Sequence, residues 1–140
     1  MRSVARTVLR YFAPIYVAAI VVQILLAGEG ILGVKKGVKL DTQKSLDPHG
    51  ALGFILAVFG AIVLLILALI AWHPDKRIRR VTIALPFMLF VQGLLGGGNR
   101  IAGTFHPLFG FVVLGTLGWL AHRLWRPAGR DAAPSAVPTG

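Results

Sequence analysis

The chain has 140 residues, of which 56% are hydrophobic and only 14% are charged, whereas a soluble domain carries about a quarter charged residues. It contains no cysteine, which excludes a disulfide, a thiolate metal site and a cysteine nucleophile. The net charge is +10, but the basic residues flank long uncharged runs instead of forming one face. The pattern predicts a membrane protein that contacts anionic lipid, and it does not indicate nucleic-acid binding.

Four uncharged runs predict four transmembrane helices, because about 20 apolar residues are needed to cross a bilayer. Pro14 is expected near the start of the first helix, and Asp47 is the expected N-cap of the second helix with Pro48 at its first position. Thr104 is the expected cap of the fourth. The predicted helices cover about residues 10–32, 48–72, 81–97 and 104–125, and residues 126–140 predict a disordered cytoplasmic tail.

The charge distribution predicts the orientation of this all-α, four-helix transmembrane bundle. Four spans place both termini on one side of the membrane. That side, with the turn between the second and third helices, holds ten Lys and Arg residues, and the other side holds five. Short loops rich in Lys and Arg stay in the cytoplasm, so both termini are expected there, in a multi-pass protein of the cell membrane.

A repeat divides the chain into two helical hairpins. Residues 22–28 match residues 91–97 at five of seven positions, and the offset is 69. The pattern H-x-x-x-G-F begins at His49 and again at His106, with an offset of 57. Because the order Gln, Gly, then H-x-x-x-G-F occurs twice, the bundle is predicted to consist of two copies of one hairpin.

The repeat places His49 and His106 at the outer ends of the second and fourth helices. Two hairpins of the same orientation are related by an axis along the membrane normal. Such an axis sets the two histidines opposite each other at one depth, as the axial ligands of a haem iron require. A haem is the predicted cofactor. The competing interpretation is that each histidine caps a helix or bonds a neighbour. On an ideal helix His73 does not share a face with His49, and His122 does not share a face with His106. For His73 and His122, solvation at the membrane interface is therefore the preferred interpretation over a second haem.

Other residues of the predicted site follow from their spacing. Gly53 and Gly110 lie four residues after the histidines, on the same helical face, where a missing side chain would leave room for a macrocycle edge. Gln23 and Gln92 predict either interhelical bonds or bonds to a ligand histidine or cofactor edge. Arg100, with Lys35 or Lys36, is a candidate for the haem propionates, or else carries ordinary loop charge.

The third and fourth predicted helices carry a family resemblance. Gln92-Gly93-Leu94-Leu95-Gly96-Gly97, followed nine residues later by His106, resembles one four-helix half of haem A synthase. The resemblance implies a haem held between histidines of the second and fourth helices, and His49 and His106 match those positions. The catalytic half of that family has a glutamate just before the first histidine, where this chain has Leu46. The resemblance therefore implies a haem-binding scaffold. The whole chain is also similar to small four-span bacterial membrane proteins, and b-type four-helix cytochromes share the plan.

Together these features predict a membrane protein that binds one haem b through His49 and His106 and transfers single electrons. Quinone or a larger membrane complex is the expected redox partner. Histidines at both axial positions leave no open site for a substrate, so an electron-transfer or accessory protein is favoured over a stand-alone enzyme. The alternative is a cofactor-free membrane subunit or assembly factor that packs against a larger complex. A binder of quinone or another apolar ligand is a third possibility.

Overall fold

The computed structural model describes residues 1–33, 44–98 and 100–126, and within these ranges it contains helices and no strand. Four helical segments are long and apolar enough to cross a membrane. The predicted fold class, an all-α four-helix bundle, is confirmed. The helices are α1 (Arg2–Leu32), α2 (Asp47–Ile55), α3 (Ala61–Ala71), α4 (Lys76–Gly96) and α5 (Arg100–Trp125). A 3₁₀ turn at Lys44–Leu46 precedes α2, and a π-helical turn at Leu56–Gly60 joins α2 to α3.

The four segments pack as a ring in which sequence neighbours are spatial neighbours. We call α2, the π turn and α3 together the second span. α1 packs against the second span and α5, and α4 packs against the same two elements. The second span and α5 therefore lie diagonally across the bundle from each other, as α1 and α4 do. This arrangement brings one face of the second span and one face of α5 to the bundle axis.

The packed core occupies one half of the bundle. We call the end that holds Arg6, Arg10 and the α3–α4 turn the arginine end, and the end that holds His49 and His106 the histidine end. α2 and the π turn contain no buried residue, and residues 101–112 of α5 contain none. Helices in lipid associate through close packing, so the contacts that hold this bundle together are concentrated near the arginine end. The largest fully buried side chains are Leu9, Leu64, Leu85, Leu117, Leu120, Val113 and Thr82.

The burial pattern follows the repeat found in the sequence. Positions of α1 and α4 that are separated by the offset of 69 are buried in pairs. Equivalent positions of the two hairpins therefore face the same bundle axis. The buried residues that form such pairs are Leu9, Ala13, Tyr16 and Ile20 in α1 and, in the same order, Ile78, Thr82, Leu85 and Leu89 in α4.

Tyr16 explains the π turn in the second span. Its side chain is 4% exposed, and its hydroxyl donates a hydrogen bond to the carbonyl oxygen of Leu56 at 2.5 Å. The ring lies against Gly60, where an added Cβ would overlap it. A π turn leaves a carbonyl out of the regular α-helical ladder, and a side chain can then bond it. The position equivalent to Tyr16 in α4 is Leu85, which has no hydroxyl.

Several helix ends differ from the prediction. α1 begins at Arg2, so Pro14 lies well inside it, and α4 begins at Lys76. The predicted ends of these helices follow the uncharged runs of the sequence. Arg and Lys are good helix formers, however, and a helix continues through them beyond the apolar segment.

The predicted caps of the second and fourth helices are also wrong. Asp47 is the first residue of α2 and caps no backbone group, because the 3₁₀ turn leads directly into the helix at Leu46. α5 begins at Arg100, so Thr104 is not its cap and Pro107 lies inside the helix. Pro107 lacks an N–H and so leaves the carbonyl of Gly103 without its helical bond, close to the start of the helix. The predicted tail beyond residue 126 lies outside the described residues.

The turn between α3 and α4 depends on the left-handed backbone conformation of Trp72 and on the side chain of Asp75. Trp72 ends α3 with a left-handed φ of 34°. Asp75 is the N-cap of α4, and its Oδ1 accepts bonds from the backbone N–H groups of Arg77 at 2.7 Å and Ile78 at 3.3 Å. Such a cap satisfies N–H groups that have no partner inside the helix, which allows a helix to begin only a few residues after the previous one ends.

Replacement of Tyr16 by Phe is expected to destabilise the bundle. Tyr16→Phe keeps the ring but leaves the Leu56 carbonyl without its donor, which costs about 1–3 kcal/mol for a buried group. Thermal unfolding of the purified protein in detergent, followed by far-UV circular dichroism, measures the change. Tyr11→Phe is the matched control, since Tyr11 is 55% exposed. Equal unfolding temperatures for the two variants would contradict the role assigned to Tyr16.

Candidate functional site

The structure brings His49 and His106 together at one end of the bundle. His49 lies in the first turn of α2, and His106 lies in α5, diagonally across the axis. The centroids of the two imidazole rings are 6.1 Å apart, and the ring planes are perpendicular. Both side chains are partly buried. A pair of histidines 57 residues apart in the sequence therefore forms one local site.

Gln23 holds His49 through two hydrogen bonds that run in opposite directions. The amide Nε2 of Gln23 donates to the carbonyl oxygen of His49 at 2.7 Å. The ring Nδ1 of His49 lies 3.1 Å from the carbonyl oxygen of Gln23. Because each residue uses both its side chain and its backbone, this reciprocal pair fixes the distance between α1 and α2 and the orientation of the imidazole.

Gln92 and His106 form the same arrangement between α4 and α5. The amide Nε2 of Gln92 donates to the carbonyl oxygen of His106 at 3.0 Å, and Nδ1 of His106 lies 3.0 Å from the carbonyl oxygen of Gln92. One contact has no recorded equivalent in the first hairpin, since Nε2 of Gln92 lies 3.4 Å from Nε2 of His106. That distance is long for a hydrogen bond between nitrogen atoms. We call the two arrangements the glutamine–histidine clamps.

The glycines after the histidines serve the clamps. A Cβ at Gly53 would lie 2.6 Å from Nε2 of Gln23, and a Cβ at Gly110 would lie 3.1 Å from Nε2 of Gln92. The space that the missing side chains leave is therefore filled by the glutamine amides. The amides reach the histidine carbonyls through this space, and the expectation that it receives a macrocycle edge stays a prediction.

Gly96 is a further member of the site, although the sequence analysis names it only within the motif Gln92–Gly97. A Cβ at this position would lie 2.9 Å from Cε1 of the His106 ring and 3.1 Å from its Nδ1. Gly96 follows Gln92 by four residues and so lies on the same face of α4. That spacing is a signal that could have placed Gly96 beside the ring.

The clamps determine which ring nitrogen is available. A carbonyl oxygen only accepts hydrogen bonds, so Nδ1 of each histidine must carry the proton of the neutral ring. Nε2 then holds the lone pair that can bind a metal ion. Metal-bound histidines usually donate their other N–H to a carbonyl or carboxylate in this way, which fixes the tautomer and raises the basicity of the ligand.

The spacing of the two rings is compatible with a shared metal ion. Metal–imidazole bonds are about 2 Å long, as in zinc sites, so two imidazoles on opposite sides of one ion have ring centres about 6 Å apart. The observed separation of the two ring centres, 6.1 Å, is close to this value. Within the described residues, no group of three or more His, Cys, Asp and Glu side chains is placed to hold a metal ion.

Two buried acceptors complete the site. Oε1 of Gln23 and Oε1 of Gln92 are buried and accept no hydrogen bond from the described residues. An unpaired buried amide oxygen costs free energy. Both atoms belong to the clamps, so the histidine end contains a matched pair of acceptors beside the two rings.

The remaining predicted residues fall outside this site or outside the described part of the chain. The side chain of Arg100 is not described, and Lys35 and Lys36 lie in the undescribed range 34–43. His73 and His122 lie at the arginine end. Nδ1 of His73 accepts from the backbone N–H of Asp75, and Nε2 of His122 accepts from Arg126, so each is engaged with a neighbour.

No protein family, curated protein or solved structure matches this chain. The resemblance to half of haem A synthase therefore stays a prediction from the sequence.

The clamps predict that the glycines differ sharply in their tolerance of alanine. Gly53→Ala should displace the Gln23 amide and break its bond to His49, at a cost of about 1–3 kcal/mol that helix propensity only partly offsets. Gly110→Ala should cost less because its space is wider. Gly50→Ala is the control, since nothing lies within 4 Å of an added Cβ, and it should raise stability slightly.

Thermal unfolding of the three variants in one detergent gives the comparison. If Gly53→Ala is as stable as Gly50→Ala, the first clamp does not hold α1 to α2.

Proposed function

We propose that this chain is an integral membrane protein that binds one haem b and transfers single electrons. His49 and His106 would ligate the iron through Nε2. The observation that carries the proposal is the pair of imidazoles from diagonal helices, 6.1 Å apart, each with Nδ1 held by a backbone carbonyl. Bound haem supplies one-electron redox chemistry.

The chain's own residues position the ligands and tune them. The carbonyl oxygens of Gln23 and Gln92 would accept the Nδ1 protons, which orients the rings and increases electron donation from Nε2. The glutamine amides fix the backbone of each histidine, so the rings are oriented before a cofactor binds. With His49 and His106 as its two protein ligands, the iron would keep no open position for a substrate, and this favours electron transfer over oxygen chemistry.

The packing supports a ligand at the histidine end. The tight core near the arginine end holds the four helices together, whereas α2, the π turn and residues 101–112 of α5 contain no buried residue. Looser packing there allows the helices to separate around a flat group without loss of the core. Gln23 and Gln92 would lie beside such a group, and Arg100 is a candidate partner for the propionates.

The surroundings of the proposed protein follow from its charge and hydropathy. The excess of Lys and Arg at the arginine end supports an orientation with both termini in the cytoplasm and four spans across the inner membrane of the cell. Lipid would surround the spans. The electron partner would be a quinone or a larger membrane complex that has access to the histidine end. Nothing in the pattern of charge favours nucleic acid.

One observation favours a second candidate, a cofactor-free membrane subunit or assembly factor. The two imidazoles already contact each other edge to face, within the range of favourable aromatic pairs. The amides also fill the space over Gly53 and Gly110. The clamps would then serve only to join the helices, and the lipid-facing apolar surface would dock on a larger complex.

A visible spectrum of the purified protein distinguishes the two candidates. Protein expressed with added haem should show a sharp Soret band and, on reduction, the narrow α and β bands of iron bound by two histidines. The haem content should approach one per chain. Protein that remains colourless after expression with haem would contradict the proposal and favour the cofactor-free subunit.

Alanine substitutions should identify the ligands. His49→Ala and His106→Ala should each abolish or strongly weaken haem binding, since each removes one of two axial bonds. His122→Ala is the control, because His122 lies at the arginine end and should leave the spectrum unchanged. Retention of the unaltered bis-histidine spectrum in both His49→Ala and His106→Ala would show that this pair does not ligate the iron.

A further inference from the structure

A small polar cavity lies at the arginine end, away from the histidine site. It has a volume of about 200 Å³ and is lined by Arg6, Thr7, Arg10, His73 and Leu124. Pockets for drug-sized ligands are usually about 300–1,000 Å³, so this one suits a small group. Two arginines and a hydroxyl on one wall make it suited to an anion.

Arg6 is fixed in place by its neighbours. Its Nε donates to the carbonyl oxygen of Ala71 at 3.0 Å, and its Nη2 donates to that of Trp72 at 3.2 Å. These carbonyls end α3, where the helix dipole is negative and a cation is favourable. The two bonds use two of the five N–H donors of a guanidinium, so Arg6 can cap α3 and still donate to a ligand in the cavity.

Arg10 lies one helical turn after Arg6 and is also held. Its guanidinium carbon is 4.2 Å from the centre of the Trp125 ring, and its backbone carbonyl accepts a bond from Nε1 of Trp125 at 3.0 Å. An arginine stacked on an aromatic ring keeps its N–H donors in the plane of the guanidinium, where a phosphate can accept two of them.

His73 adds a donor without adding charge. Burial lowers the pKa of His73, the charge of Arg6 lowers it further, and Asp75 acts in the opposite direction, so the ring is neutral at neutral pH. Its Nδ1 accepts from the backbone N–H of Asp75 at 3.2 Å. The proton of the neutral ring is then on Nε2, which can donate to an anion.

The repeat gives the equivalent positions of the second hairpin a different charge. At the offset of 69, Arg10 corresponds to Arg79, and Arg6 corresponds to Asp75. Arg79 also stacks on a tryptophan, with its guanidinium carbon 4.8 Å from the centre of the Trp72 ring. The second hairpin therefore keeps the stacked arginine, but it has the carboxylate of Asp75 at the position that corresponds to Arg6. This carboxylate is paired with Arg123 at 3.8 Å. A carboxylate repels anions.

The depth of the cavity indicates the source of the anion. It lies at the ends of the apolar spans, beside Trp125, and tryptophans are enriched where lipid headgroups begin. Leu124 gives it an apolar side. We propose that this cavity binds the phosphate of an anionic phospholipid headgroup, with Arg6 and Arg10 as the charged partners and Thr7 and His73 as neutral donors.

Lipid binding to the purified full-length chain in detergent provides the test. Phosphatidic acid and phosphatidylcholine with identical acyl chains are titrated, and the rise in unfolding temperature gives an apparent Kd for each. Phosphatidic acid should bind at least tenfold more tightly. Arg10→Gln should weaken that binding by about fivefold, the effect of one basic residue near an anionic lipid. Arg10→Gln is preferred to an Arg6 variant because it leaves the cap of α3 intact.

Arg79→Gln is the matched control, because it removes an equivalent arginine and its stack on tryptophan outside the cavity. It should change the affinity by less than twofold. Equal losses in Arg10→Gln and Arg79→Gln would overturn the proposal in favour of general surface charge, and so would equal affinities of the wild type for the two lipids. Inorganic phosphate that stabilises the chain at the same concentrations as phosphatidic acid would overturn the assignment to a lipid.

Discussion

The histidine end depends on the reciprocal bond between a glutamine and a histidine, which occurs once in each hairpin. An amide N–H of the glutamine reaches the backbone of the histidine, and the imidazole reaches the backbone of the glutamine. Inside a membrane the polar groups of both residues have no water to bond. Each hydrogen bond between the glutamine and the histidine therefore removes the cost of an unpaired polar group. The bonds cross between helices that are adjacent in sequence, and they fix the depth and rotation of both rings.

The contacts that stabilise the bundle and the residues of the candidate site lie at opposite ends of the bundle. Buried side chains of all four spans meet near the arginine end, where Leu9, Leu64, Leu85 and Leu117 have no exposed surface. At the histidine end the glutamine–histidine clamps, instead of close apolar packing, hold neighbouring helices together. Since hydrophobic burial drives little association in lipid, a few polar contacts of defined geometry are sufficient to hold the helices where the apolar contacts are sparse.

The sequence was sufficient to predict the four spans, the two hairpins and the pairing of His49 with His106 because these follow from periodicities along the chain. Uncharged runs indicate spans, and an internal repeat implies an axis that relates equivalent residues. Helix ends were less accurate, since Lys76 and Arg2 extend their helices beyond the apolar runs by helix propensity alone. Haem binding by this pair is a proposal, and a visible spectrum of the purified protein tests it.

Gly53 shows why contacts at the site were harder to predict. Its position on the histidine face is visible in the sequence, but several groups compete for the space that a glycine leaves. The amide of Gln23 occupies it because a bond to the His49 carbonyl is available there. Tyr16 was missed for a similar reason. Its partner is the backbone carbonyl of Leu56, and main-chain acceptors have no signature in the order of side chains.

The π turn has a geometric effect on the symmetry of the whole bundle. Leu117 and Leu120 follow His106 by 11 and 14 residues, whereas Ala61 and Leu64 follow His49 by 12 and 15. One extra residue in an α-helix would rotate everything beyond it by about 100°. The wider π turn accommodates the extra residue without this rotation. His49 can therefore point toward the bundle axis while the buried face of α3 still packs in the core. Deletion of one residue between 56 and 60, with Tyr16 changed to Leu, would convert the second span to a regular helix in phase with α5.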